Sequence, residues 1–188
     1  MRIAYVLFDG MTTLDFVGFY DAVGRLKTMN LLPDVQEHVL ARKPQVRDDR
    51  SLTLCAEVAP ATLEGWDLVF LPGGFGTRPL VNDRGFLDWL ATAADCPLKV
   101  SVCTGALLWG AAGFLKGRRA TTHPNAYELL RPYCAEVVEN ERIVDEGGIV
   151  TGRGVSTSID LGLHICRRLA GEDAMRKIKA QMDYPYGA

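Results

Sequence analysis

This chain predicts an α/β fold: a single domain, residues 1–188, built on a mainly parallel sheet with helices on both faces. Three observations carry that expectation. Short β-type runs alternate with amphipathic stretches along most of the chain, the βα alternation that a parallel sheet requires. "WDLVFLPGG" (66–74) is a continuous apolar run closed by Pro-Gly-Gly, as a central strand buried on both faces should be. Finally, 188 residues with no internal repeat, low-complexity tract or linker amount to about one domain.

Each element has its own justification. "RIAYVLF" (2–8) is an apolar run stopped by Asp9-Gly10 and reads as the first strand, followed by an amphipathic helix over 14–26. Strands follow at 37–42 and 52–58, then the central strand, then a helix over 84–94. "LKVSVC" (98–103) is a strand that runs directly into a helix over 104–115, with Gly117 beyond it as a stop signal. Asn125 and Glu128 stand three apart, as a capping box places them. Two extended runs, 136–145 and 148–151, precede the helix in "VSTSIDLGLHICRRLAG", whose Gly171 is a C′ residue, and a last helix covers 172–183.

Composition narrows the function. Charged residues make up 23% of the chain and the formal charge is −2, so the basic excess needed to neutralise a phosphate backbone is missing and nucleic acid is not an expected partner. The N-terminal apolar run is too short for a secretory signal, and the longest apolar stretch, Ala106 to Leu115, is about half a membrane span. A cytoplasmic protein acting on a small molecule is expected. The five cysteines are scattered and form no C-x-x-C pair, which suggests neither a disulfide framework nor a metal site.

Ligands of open parallel sheets sit outside the carboxyl ends of the strands, so three turns matter: "FDGMTTLD", "PGGFGT" and "CTGA". Cys103 closes a strand and opens a helix. Its sulfur lies where unpaired N–H groups and the positive helix end lower a thiol pKa, so it is expected to be the most reactive of the five thiols. The alternative is a buried thiol that fills space. "PGGFGT" lacks both the dinucleotide pattern and the lysine of a phosphate loop. It is either a plain tight turn or the source of a free Gly74 N–H, which with the Thr104 N–H would form a donor pair facing developing charge. Asp15 is either a helix-start acid or a protonated carboxyl facing the thiol, since an ionised carboxylate would repel a thiolate.

Taken together, "LVFLPGG", "VSVCTGALLWGAAGFLKGRRATTH" and "IVTGRGVSTSIDLGLHI" resemble the DJ-1/PfpI superfamily. They are most similar to its isocyanide hydratase branch and to the ligand-binding domains of AraC-type regulators. The resemblance implies a flavodoxin-like, class I glutamine amidotransferase-like fold, a homodimer, Cys103 as nucleophile with Asp15 as acidic partner, Gly74 and Thr104 as backbone donors, and no metal or organic cofactor. The implied activity is cofactor-free, cysteine-dependent hydration of an isocyanide to an N-substituted formamide through a thioimidate. Two other outcomes remain open: a ligand- or redox-sensing domain without turnover, and glyoxalase- or deglycase-type action on reactive carbonyls. Thr104 stands where protease- and glyoxalase-like branches place histidine, which disfavours a Cys-His dyad. His123 is followed by Pro124 instead of an aromatic residue. Arg153 falls in a segment that is glycine-rich in the hydratases; turned inward it would bring positive charge into the pocket, and turned outward it would be solvated.

Overall fold

The computed structural model describes residues 1–186. In chain order the elements begin with β1 (Arg2–Val6), α1 (Thr13–Thr28), β2 (Gln36–Ala41), β3 (Gln45–Arg47), β4 (Thr53–Cys55), β5 (Glu57–Val58) and β6 (Leu68–Leu71). Then come α2 (Thr77–Leu80), α3 (Arg84–Ala91), β7 (Leu98–Val102), α4 (Gly105–Ala111), β8 (Arg119–Ala120) and α5 (Tyr127–Leu130). The chain finishes with β9 (Glu136–Val137), β10 (Ile143–Asp145), β11 (Ile149–Gly152), α6 (Thr157–Ala170) and α7 (Glu172–Gln181).

Seven strands form the main sheet in the order β10-β11-β7-β6-β1-β2-β5. Every pairing in it is parallel except β10 with β11. β6, β7 and β11 are buried along their whole length; β6 is entirely apolar, while β7 buries Lys99 and Ser101 and β11 buries Thr151 among apolar residues. The chain leaves β1 toward β2 on one side and returns to β6 on the other, so the order reverses between β1 and β6. At such a switch point the loops after the two strands diverge and leave a crevice above the sheet.

Packing holds that crevice in place. Phe19 of α1 stacks on Phe70 of β6 with ring centroids 4.0 Å apart, and both are fully buried, as is Trp109 of α4. Each such side chain contributes roughly 1.5–3 kcal/mol through burial. α1 lies close against α6 because small residues face each other. A Cβ on Gly18 would sit 2.2 Å from the Ser158 Oγ, and one on Gly162 would sit 2.6 Å from the Ala22 Cβ.

Some expected boundaries move for local reasons. The single run expected over 52–58 is split at Ala56: β4 pairs with β3 as a separate hairpin, while β5 joins the edge of the main sheet. The extended run 136–145 likewise divides into β9, paired with β8, and β10. The helix expected over 104–115 runs only from Gly105 to Ala111, and Gly113 follows it at φ +90°. The capping box is replaced by another cap: the His123 Nδ1 accepts the Asn125 N–H at 3.2 Å, starting a short 3₁₀ turn before α5. Gly171 does end α6 in a left-handed conformation, φ +86°, and its N–H donates to the Arg167 carbonyl at 2.9 Å.

Candidate active site

Cys103 sits one residue past β7 and two before α4, with φ +56°. A left-handed non-glycine residue costs on the order of 1 kcal/mol or more, so something must hold it. Its N–H extends the sheet ladder to the Gly152 carbonyl at 2.9 Å, and its own carbonyl accepts the Thr122 hydroxyl at 2.8 Å. Gly105 lets the turn close against β6, since a Cβ there would meet the Leu71 carbonyl oxygen at 2.5 Å. The positive φ turns the sulfur out of the sheet and toward the crevice.

Asp15, in the first turn of α1, is fully buried. Its carboxylate is not used on its own helix end. Oδ2 accepts the Gly73 N–H at 2.9 Å, and Oδ1 is buried without a geometric hydrogen-bond partner. The Cys103 thiol lies beside it, close enough for each group to shift the titration of the other. Gly73 is the pivot of this arrangement: a Cβ there would fall 2.5 Å from the Thr104 N, 2.7 Å from the Cys103 Cβ and 2.9 Å from the Asp15 Oδ2. Three chain segments therefore meet around a space only glycine leaves open.

Burial sets the electrostatics of the pair. It is the largest cause raising Asp15 from an ordinary 3.8 to about 7, opposed by the Gly73 N–H and the thiol and aided by the charge on Asp49. Burial also pushes the Cys103 thiol up to about 12, with the Asp15 charge as the second cause, while the Thr104 N–H and hydroxyl pull the other way. The expectation of a depressed thiol pKa from the helix end is thus corrected. Desolvation of a cysteine 5% exposed, beside a carboxylate, outweighs one turn of helix dipole.

The cleft in front of the thiol has a volume of about 380 Å³ and is bounded by Thr12, Gly74, Phe75, Arg78, Cys103, Thr104, His123, Asn125 and Val155. The structure therefore brings Cys103, Thr104, Gly74 and His123 together, with Asp15 directly behind the sulfur. Two expectations change. The Gly74 N–H is not free: it donates to the Thr104 Oγ1 at 2.9 Å, and that hydroxyl lies 3.1 Å from the Gly74 carbonyl, a closed reciprocal pair. Gly74 instead adopts φ +120° pressed onto the β1–α1 loop, where a Cβ would meet the Gly10 carbonyl oxygen at 2.5 Å. Arg153 does not border the cleft. It is half-buried with its guanidinium over the Tyr127 ring, 5.9 Å from the centroid.

The positive charge in the cleft belongs to Arg78, which sequence reasoning missed along with Thr12, Phe75, Asn125 and Val155. An arginine four residues after Gly74 was visible in "PGGFGTR", but no local pattern says that the one-turn helix α2 folds it back over the loop. Gly73 was missed because either glycine of a Pro-Gly-Gly turn can offer its N–H.

A strand-to-helix turn carrying a left-handed cysteine, backed by a buried carboxylic acid at the switch point of a parallel sheet, defines an α/β protein of the cysteine-elbow type. The chain belongs to the DJ-1/PfpI family, which it matches over residues 1–168. It is 34% identical over 186 residues to the isonitrile hydratase of Pseudomonas putida, covering 98% of this chain and 78% of that protein. A ThiJ/PfpI family protein from Pseudomonas syringae superposes with a TM-score of 0.86 at 26% identity, covering all of this chain and 76% of that one. An AraC family transcriptional regulator from Pseudomonas putida shares the fold at a TM-score of 0.82 and 20% identity, covering 96% of this chain and 98% of that one.

Proposed function

We propose that this protein is a cofactor-free hydratase of small isonitriles, with Cys103 as nucleophile and Asp15 as its proton carrier. The observation that carries the reading is the Asp15–Cys103 pair: a buried carboxyl oxygen without a geometric partner next to a thiol that opens into a cleft. Once Asp15 ionises, through about pH 7, the pair holds one proton, which resides on sulfur or on oxygen. As the sulfur forms its bond to the terminal carbon of R–N≡C, Asp15 takes the thiol proton. It delivers that proton to the same carbon, giving the thioimidate R–N=CH–S–Cys103. Asp15, ionised again, takes a proton from water as the water oxygen adds to that carbon, and passes the same proton to the nitrogen. The C–S bond then breaks, the hydroxyl proton returns to sulfur, and R–NH–CHO leaves with the thiol restored. The Thr104 N–H, directed at the sulfur, steadies the thiolate at both ends of the cycle.

Similarity to a hydratase at 34% identity supports this chemistry. A redox sensor needs an exposed, acidic thiol, and a buried one pushed up to about 12 weighs against that role. Thr104 supplies no imidazole beside the sulfur, which weighs against glyoxalase-type proton transfer. The same reading includes a homodimer in a reducing cytoplasm: Leu14, Val17 and Tyr20 expose one apolar side of α1, and no helix among the described residues is long and apolar enough to cross a membrane. Incubating the protein with a simple alkyl isonitrile and following formamide by mass spectrometry tests the proposal. Turnover in the native protein and none in Cys103→Ala supports it; no formamide, or equal turnover in the variant, rejects it.

A further inference from the structure

Arg78 is placed and partnered in a way that the reaction above does not use. It borders the cleft that holds Cys103 and follows the loop leaving β6. Its Nη1 donates to the Gly74 carbonyl at 3.1 Å and to the Thr77 Oγ1 at 3.2 Å. Those two contacts fix the guanidinium on one edge. Its Nε and Nη2 make no hydrogen bond among the described residues, and that edge presents two parallel donors with the spacing of a carboxylate.

No nearby acid pairs with Arg78 among the described residues. Asp9 pairs with Lys43 at 2.5 Å and Asp83 pairs with Arg42 at 3.3 Å, while Asp49 accepts the hydroxyl of the cleft residue Thr12 at 2.9 Å. Asp15 lies behind the sulfur and is raised to about 7. The remaining cleft lining is apolar or neutral: Phe75, Val155, Thr12, Asn125 and the backbone at Gly74, with His123 turned to cap the 3₁₀ turn. Phe75, 75% exposed, projects at the mouth, and the Arg78 guanidinium lies 5.2 Å from its ring centroid. Stacking on that ring holds the cation without consuming its in-plane donors.

We propose that Arg78 is the specificity-determining residue of this site and that it selects isonitriles bearing a carboxylate. The apolar body of the substrate would lie along Phe75 and Val155, with the isocyano carbon at the Cys103 sulfur and the carboxylate on the Nε/Nη2 edge. This rests on the hydratase reading for its choice of reactive group, but the anion preference is separately measurable.

The experiment compares a short series of ω-isocyano carboxylates with their methyl esters. The native protein is expected to prefer the acid in kcat/KM. In Arg78→Met that acid-over-ester preference falls roughly 10- to 100-fold, the loss expected for a charge-assisted bidentate contact, and the fall is carried by KM with kcat changed much less. Arg78→Lys, which keeps the charge but not the fork, restores part of the preference and shows that the loop still folds. An unchanged preference in Arg78→Met, or no preference in the native protein, overturns the proposal. Calorimetry of ω-formamido carboxylates with Cys103→Ala, with and without Arg78→Met, provides a readout that needs no turnover. Binding that disappears with Arg78 supports the anion site even if hydration is never seen, and binding indifferent to Arg78 rejects it.

Discussion

Replacing Asp15 by asparagine should make the protein more stable at neutral and alkaline pH, and the size of the gain follows from burial. The folded-state carboxyl is raised to about 7 from an ordinary 3.8, so the native state holds its proton more tightly than the unfolded chain does. Below about pH 4 both states are protonated and the native state pays nothing. Between about pH 4 and about 7 the unfolded chain ionises while the native protein does not, so stability falls as pH rises, by up to about 1.4 kcal/mol per unit. Above about pH 7 the loss is complete, at about 4 kcal/mol. Asparagine keeps an oxygen to accept the Gly73 N–H, places its amide where the Oδ1 has no geometric partner, and has no charge to desolvate. Urea unfolding of both proteins from pH 4.5 to 8.5 measures the difference, with other titrating groups cancelling between them. The variant's advantage should be small at pH 4.5 and grow to several kcal/mol by pH 8. A difference that is constant across that range would refute the claim that this carboxyl is held neutral by burial.

The same pair fixes the pH dependence of catalysis: kcat/KM should rise tenfold per unit to a midpoint near pH 7, where Asp15 becomes able to accept the thiol proton, and stay level to pH 10 because the thiol itself titrates at about 12. A midpoint near 4 would mean that Asp15 is not the acceptor. Brief iodoacetamide treatment should label the exposed Cys55 before the buried Cys103, the reverse of the order that the sequence suggests, and peptide mass spectrometry reads the order directly. Gly73→Ala should abolish formamide production, because its methyl group would displace the Thr104 N, Cys103 or Asp15; turnover within threefold of the native rate would show the site to be looser than drawn.

The largely apolar runs at 66–71 and 98–102, each followed at once by a glycine turn or a helix, were enough to place two central strands and the elbow at Cys103. Such patterns are legible because the forces behind them are local: the period of the backbone, the conformations glycine permits, the caps that end a helix. Asp15 and Cys103 could be proposed as partners because the topology of a parallel sheet brings the ends of β1 and β7 to one side. Which glycine N–H serves Asp15, which arginine faces the cleft and whether the thiol is acidic were decided elsewhere. Gly73 in place of Gly74, and Arg78 in place of Arg153, depend on how the loop after β6 presses against the loop after β1 and the start of α1, a contact between residues 58 or more positions apart. The thiol pKa depends on its burial and on the Asp15 charge beside it, both set by how α1 packs against the turn after β7. Dielectric environment and side-chain direction belong to the packed whole, so no stretch of chain read by itself contains them.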